Sequence, residues 1–220
     1  MNRLIASSVM MLILICGIQV GGAADAKDKT TLYEVTITNI TRRQIISPPI
    51  VISHNKDFRL FNLANPATPG MALLAEEGMP SVLETELGAM DSVFQYNSAA
   101  GGIPPGASVT VGIETQKGFR LLSAAGMLIF TNDAFFAVRG LKARSKGDAT
   151  VPARAYDAGS ERNSEDCTYI PGCGGGGAHD PAVAEGYVYP HSGIHGIGGL
   201  DPADYDWHNP VATIRVEKVK

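Results

Sequence analysis

The sequence predicts an all-β protein, an antiparallel β-sandwich with a short helical insertion. Three observations lead there. Short apolar segments with a period of two recur along the chain, separated by turns rich in Gly, Pro and Asn. One stretch alone, Met71 to Met90, carries apolar residues at helical spacing. Charged residues make up 18% of the chain and glycine reaches 25 of 220 residues, a balance that favours a loop-rich β protein over a helical one. The length suits one domain with a sizeable core. The net charge of −4 gives no electrostatic case for nucleic acid or an anionic membrane surface.

The elements follow in order. Tyr33, Val35 and Ile37 alternate with Glu34, Thr36 and Thr38, which predicts a half-buried strand. A polar turn spans Asn39 to Arg43. Pro48-Pro49 introduces a second strand, Ile50 to His54, at the end where proline is tolerated; His54 reads as a satisfied core residue. Phe58 to Leu63 is a short strand or tight connection. Asn65 to Gly70 is a loop. Leu73, Leu74, Met79, Val82, Leu83 and Leu87 predict two short helices broken at Gly78-Met79-Pro80, with Pro80 in the first turn of the second. Ala99 to Gly106 is a loop. Val109, Val111 and Ile113 predict a strand, as do Leu121-Leu122 with Met127 to Phe130, Phe135 to Val138, and Ala149 to Tyr156. Gly172 to Gly177 reads as flexible low-complexity chain. Val211 to Val219 predicts a closing strand.

The N-terminus reads as an address. Asn2 and Arg3 precede an apolar run from Leu4 to Val20, and Gly21 to Ala24 supply small residues for cleavage. We therefore expect a secretory signal peptide at 1–24, a flexible lead-in at 25–30 and a single domain at 31–220, with no membrane span after cleavage. The final location would be periplasmic, cell-surface or secreted. Loss of the signal removes Cys16 and leaves Cys167 and Cys173, an even pair that predicts a disulfide in an exported chain. Paired metal thiolates would need further soft ligands nearby, which the sequence does not offer.

The chemistry concentrates in two segments. Met127 to Val138 reads as strand, polar turn and strand, with Asp133 at the turn. Tyr156 to Asp166 is a loop dense in oxygen ligands, where Asp157 and Glu161 lie four apart around Gly159. Antiparallel strands could bring Asp133 beside this loop. Carboxylates with backbone carbonyls and no soft ligand suit a hard cation such as calcium. Carboxylates are also common in ordinary turns, because Asp and Asn accept local backbone hydrogen bonds. The order of an EF-hand loop is absent.

Thr131-Asn132-Asp133-x-Phe135-Phe136-x-Val138 and Tyr156-Asp157-Ala158-Gly159-Ser160-Glu161 resemble the calcium-site segments of the spondin domain, the adhesive module of F-spondin and mindin that also occurs in bacterial exported proteins. Ala67 to Gly78 is similar to a further spondin segment, and the ending resembles bacterial members in Gly193-Ile194-His195-Gly196, Leu200-Asp201-Pro202, Tyr205-Asp206-Trp207 and Asn209-Pro210-Val211-Ala212. The resemblance covers about residues 31 to 219. It implies a sandwich similar in build to C2 domains, with one calcium site in the loops at one end. The ligands it implies are Asp133, Asp157 and Glu161. Three departures stand out: Ala134 and Tyr156 replace aromatic and Trp positions, and Glu161 is longer than the usual Asp.

The resemblance implies an exported, non-enzymatic calcium-binding adhesion module meeting a surface protein or glycan. Two other readings stay open. His191, His195 and His208, with Asp201 to Asp206, could form a second site in an exported metal-dependent enzyme. Trp207 and the tyrosines could serve a carbohydrate-binding module. His191 and His195 lie four apart, but in a glycine-rich segment that is not expected to be helical, so they need not share a face. Neither Gly-x-Ser-x-Gly nor a phosphate loop is present.

Overall fold

The computed structural model describes residues 29–219. The expected signal peptide, Cys16 and most of the lead-in lie outside the described residues. The elements are β1 (Thr31–Asn39), β2 (Ile50–His54), α1 (Pro69–Glu77), α2 (Ser81–Gly88), β3 (Val93–Ser98), β4 (Ser108–Thr115), β5 (Leu121–Met127), β6 (Ala134–Lys142), β7 (Asp148–Asp157), β8 (Tyr189–Pro190), α3 (Pro202–Tyr205) and β9 (Ala212–Lys218). Among the described residues no helix is long and apolar enough to cross a membrane.

The strands pair antiparallel in the order β3-β2-β5-β6-β7-β9-β1-β4, with β8 joined to β7. Strand β7 links the two halves of the sandwich: residues 148–153 pair with β9, and residues 154–157 pair with β6. The edges β3 and β4 come together through side chains instead of a ladder. The Glu114 N–H donates to Gln95 Oε1, and Asn97 Nδ2 donates to Gly112 O at 2.6 Å. The sheet thus curls almost closed, an all-β sandwich with a short helical insertion.

Two apolar cores explain the burial pattern. Val35, Ile37, Val51, Leu122, Ala124, Phe136, Ile214 and their neighbours fill the interior of the curled sheet. On the outer face of β2, β5 and β6, Ile50, Ile52, Ala125 and Phe135 pack against Met71, Leu74, Leu83 and Leu87 of the helices. Strand β2 is therefore buried on both faces and reads as a continuous apolar run, whereas β1 keeps its alternation because Glu34 and Thr36 face outward. Thr68 caps α1 through a hydrogen bond from Met71 N, and Gly78 ends it in a left-handed conformation.

Four local expectations need correction. Strand β3 has no counterpart in the expected elements, although Phe94 and Tyr96 alternate with Gln95 and Asn97; all six of its residues are half-buried. The strand expected over Met127 to Phe130 stops short: Leu128 keeps only a single antiparallel bridge to Ile46, and Ile129 and Phe130 are not strand. The backbone there turns, with the Phe130 N–H donating to Gln44 Oε1 and Phe130 O accepting from Gln44 Nε2. Pro80 occupies the N-cap position of α2, one residue before its first turn, and its carbonyl accepts from the Glu84 N–H at 2.8 Å. The glycine run is structured: Pro171–Cys173 form a 3-10 turn, the Gly172 N–H donates to Ile129 O, and a side chain at Gly175 would strike the Cys167 and Thr168 carbonyls. Cys167 and Cys173 form the expected disulfide.

The helix pair depends on a close approach at Gly70, where a Cβ would stand 2.5 Å from Leu83 Cα. Gly70→Ala should therefore destabilise the protein by about 1–3 kcal/mol despite alanine's better helix propensity. Denaturant unfolding of the variant checks this.

Candidate metal site

The turn between β5 and β6 is built by Thr131. Its hydroxyl donates to Leu128 O at 2.6 Å and accepts from the Ala134 N–H at 3.0 Å. This leaves Asp133 at the start of β6. The β6–β7 register sets Ala134 opposite Asp157, so the hairpin turn and the end of β7 meet at one edge of the fold. The chain then bends back at Gly159, where φ is +63° and a Cβ would collide with the Tyr187 backbone. Both constraints require glycine.

Asp133 is fully buried. Its Oδ2 accepts from the Ser160 N–H at 2.8 Å and the Glu161 N–H at 3.1 Å. Among the described residues its Oδ1 has no hydrogen-bond partner. Asp157, also fully buried, accepts from the Gly159 N–H through Oδ1 at 2.7 Å and from Asn163 Nδ2 through Oδ2. Burial raises the Asp133 carboxyl well above its ordinary range, and the Asp157 charge adds to the rise. Burial also pushes Asp157 up to about 6, against the pull of hydrogen bonds from Asn163, Tyr189 and Gly159. Two negative groups held together in a dry place favour a proton or a cation between them.

Glu161 is buried beside them but its carboxylate has other company. Oε1 accepts from the Asp180 N–H at 2.6 Å and lies 3.9 Å from His179 Nδ1. Burial pushes it up to about 7, the Asp180 N–H and the His179 charge pull the other way, and Glu76 adds a repulsion. Its backbone N–H, not its side chain, is what reaches Asp133.

The histidines of the tail take separate parts. His191 is buried, accepts from the Gly193 N–H at Nδ1, and so carries its proton on Nε2, which donates to Asn163 Oδ1 at 3.1 Å. Burial lowers it to about 4, with the His195 charge acting the same way, so the ring is neutral. The relay from His191 through Asn163 orients Asp157. His195 is exposed and pairs with Ser192, and His208 is exposed. Trp207 is buried, 8% exposed, with its ring 5.1 Å from that of His191. His54 is buried between Ser123 and the Asn55 carbonyl, as a satisfied core residue would be.

Several residues at the site were not anticipated. Asn163 bridges His191, Asp157 and Tyr189. Glu165, at φ +53°, gathers the N–H groups of His195, Gly196 and Ile197 at 2.5–3.0 Å and ties the tail to the loop. Glu185 approaches from the tail, and its Oε2 is the second buried side-chain oxygen without a partner among the described residues. The acidic character of 157–166 hinted at Glu165; nothing local marked Glu185.

Among the described residues no group of three or more His, Cys, Asp or Glu side chains stands arranged to hold a metal ion. The oxygen chemistry nevertheless fits a hard cation. A calcium ion takes six to eight oxygens, many of them carbonyls, amides and waters. Among the described residues Asp133 offers a buried oxygen that lacks any partner, and Asp157 stands beside it.

An all-β sandwich with an acidic end, where a hairpin aspartate meets the aspartate of a Tyr-Asp-Ala-Gly loop, defines the class of protein. The Spondin_N family model matches residues 38–165, more than half the chain, and the chain belongs to the spondin N-terminal domain family. No curated protein matches it.

The raised carboxyls make a prediction about the ion-free protein. A carboxyl whose folded pKa exceeds its unfolded value destabilises the fold above that folded pKa, and the penalty is relieved as pH falls through it. Glu161, Asp133 and Asp157 act together here. In chelator, the melting temperature should rise as pH falls from about 8 to about 6.5. Below that, His54 and His191 work the other way, because burial lowers both and only the unfolded chain takes up their protons readily. Scanning calorimetry across this range checks the sign, and Asp133→Asn with Asp157→Asn should reduce the rise to the part that Glu161 contributes.

Proposed function

We propose that this protein is an exported, non-enzymatic binding module whose loops are shaped by one calcium ion held at Asp133 and Asp157. The observation that carries the reading is the unpartnered Oδ1 of a fully buried aspartate beside a second buried aspartate. An orphaned buried acceptor costs roughly 1–3 kcal/mol, more when charged, and a divalent cation offsets that cost. Membership of the spondin family supports the reading, since the two aspartates lie within the matched segment.

A surface protein or glycan is the partner this reading implies. Tyr187 and Ile197 are 45% and 69% exposed, and both sit on backbone held by the acidic end, Tyr187 against Gly159 and Ile197 on the Glu165 carboxylate. The disulfide is consistent with an oxidising destination.

Thermal unfolding of the mature chain in chelator and then in calcium, magnesium or zinc tests the proposal. Calcium at about a hundred times its dissociation constant should add about 2.7 kcal/mol, and Asp133→Asn with Asp157→Asn should abolish the response. A double variant with the full calcium response would place the ion elsewhere. A zinc-selective shift would favour the histidine loop and an enzymatic role.

A further inference from the structure

We propose that Glu185, carried in by the C-terminal tail, supplies the third carboxylate of this ion site, so that the ion also docks the tail onto the sandwich. The proposal rests on the calcium reading above and deepens it.

The backbone brings Glu185 to the place. The Gly186 N–H donates to Gly159 O at 2.8 Å, and the Tyr187 backbone fills the space that a side chain at Gly159 would need. Two residues later β8 pairs with the end of β7, with Asp157 opposite Tyr189. The Glu185–Tyr189 segment is therefore laid across the turn that carries Asp157. The Glu185 charge adds to the rise of the Asp133 and Asp157 carboxyls, in keeping with where the backbone carries it.

The decisive observation is the pairing of orphans. Among the described residues two buried side-chain oxygens have no hydrogen-bond partner, Asp133 Oδ1 and Glu185 Oε2. They belong to carboxylates that repel each other. Unpartnered acceptors of like charge at one place are explained by a shared cation, and a cation would draw them closer than repulsion leaves them. Glu161 does not show this pattern, because its Oε1 is occupied by the Asp180 N–H and its neighbours are Glu76 and His179. Three carboxylates with carbonyls and waters make an oxygen set suited to calcium, and the long side chain of Glu185 can shift to meet it.

The test uses the mature full chain and calcium itself, measured by calorimetric titration and by unfolding. Glu185→Gln should weaken calcium binding by about tenfold or more, while Glu161→Gln leaves the affinity close to that of the parent. Glu185→Gln should also invert the order of stability. In chelator it should melt at or above the parent, since a repulsion is gone; in excess calcium it should melt below. A structural role for Glu185 would lower both. Calcium binding by Glu185→Gln equal to the parent's would overturn the proposal and leave the Asp133–Asp157 site standing. A parent chain that binds no calcium would overturn the site and this proposal together.

Discussion

The acidic end of the molecule closes around one buried carboxylate. Asp133 sits where the β5–β6 hairpin turns, and its Oδ2 ties down the Ser160 and Glu161 amides of a loop more than twenty residues away. The Ala158 N–H reaches back to Asp133 O at 3.2 Å, and Asn132 takes the Glu165 N–H at 3.1 Å. Hairpin, loop and tail are thus held by the two residues at the tip of one turn. This is a demanding way to build a corner. A carboxylate out of water needs compensation for its charge, and two backbone N–H groups on one oxygen supply part of it. The other oxygen has none among the described residues. A purely structural corner would be better served by Asn, whose amide brings its own donor and no charge.

The histidine-rich ending finds its explanation at the same corner. His191 is neutral, and the Gly193 N–H fixes its tautomer. It orients Asn163, whose amide then donates to Asp157. An outer layer of this kind holds a carboxylate in one orientation without adding charge, as the residues behind the ligands of an ion commonly do. Trp207 packs on the His191 ring and seals it from water. The tail's aromatic and imidazole groups thus act by supporting the acidic residues.

How far this could be read from residues alone depended on range. The sandwich was legible because β1, β4 and β9 alternate, and because the helix pair shows a different period. Strand β3 was missed, since its alternation is only two aromatics long, Phe94 and Tyr96, in a segment that ends in polar residues. Asp133 and Asp157 were legible as a hairpin tip and a strand end, which an antiparallel sheet can bring together. The direction of Glu161 was not. Its spacing from Asp157 fixes how far the chain travels, but the left-handed bend at Gly159 turns the backbone N–H of Glu161 toward Asp133 and its side chain toward Asp180 and His179. Glu185 lies in a segment with no local signature, and only the packing of the Tyr187 backbone on Gly159 brings it close. The glycines of 172–177 show the same limit, since composition does not separate a loose glycine from one that lets Ile129 and Phe130 pack tightly.

The family match ends at residue 165, and that residue is itself a joint. The Glu165 carboxylate holds three successive amides of the tail, while its own N–H is held by Asn132, next to Asp133. The tail is therefore no independent appendage. Its last strand, β9, lies within the sheet between β7 and β1, and the chain before it is bonded at Glu165, at Gly159 and along β8 around the buried acidic end. Charge gathered there acts on both parts at once. Left uncompensated, Asp133, Asp157 and Glu185 push sandwich and tail apart, against hydrogen bonds that pull them together. A cation at that junction changes the sign of the electrostatic contribution without remaking the hydrogen bonds, and its effect falls on the loops that carry Tyr187 and Ile197. The position of the charges, between the matched domain and its ending, is what would let an ion govern the shape of that surface.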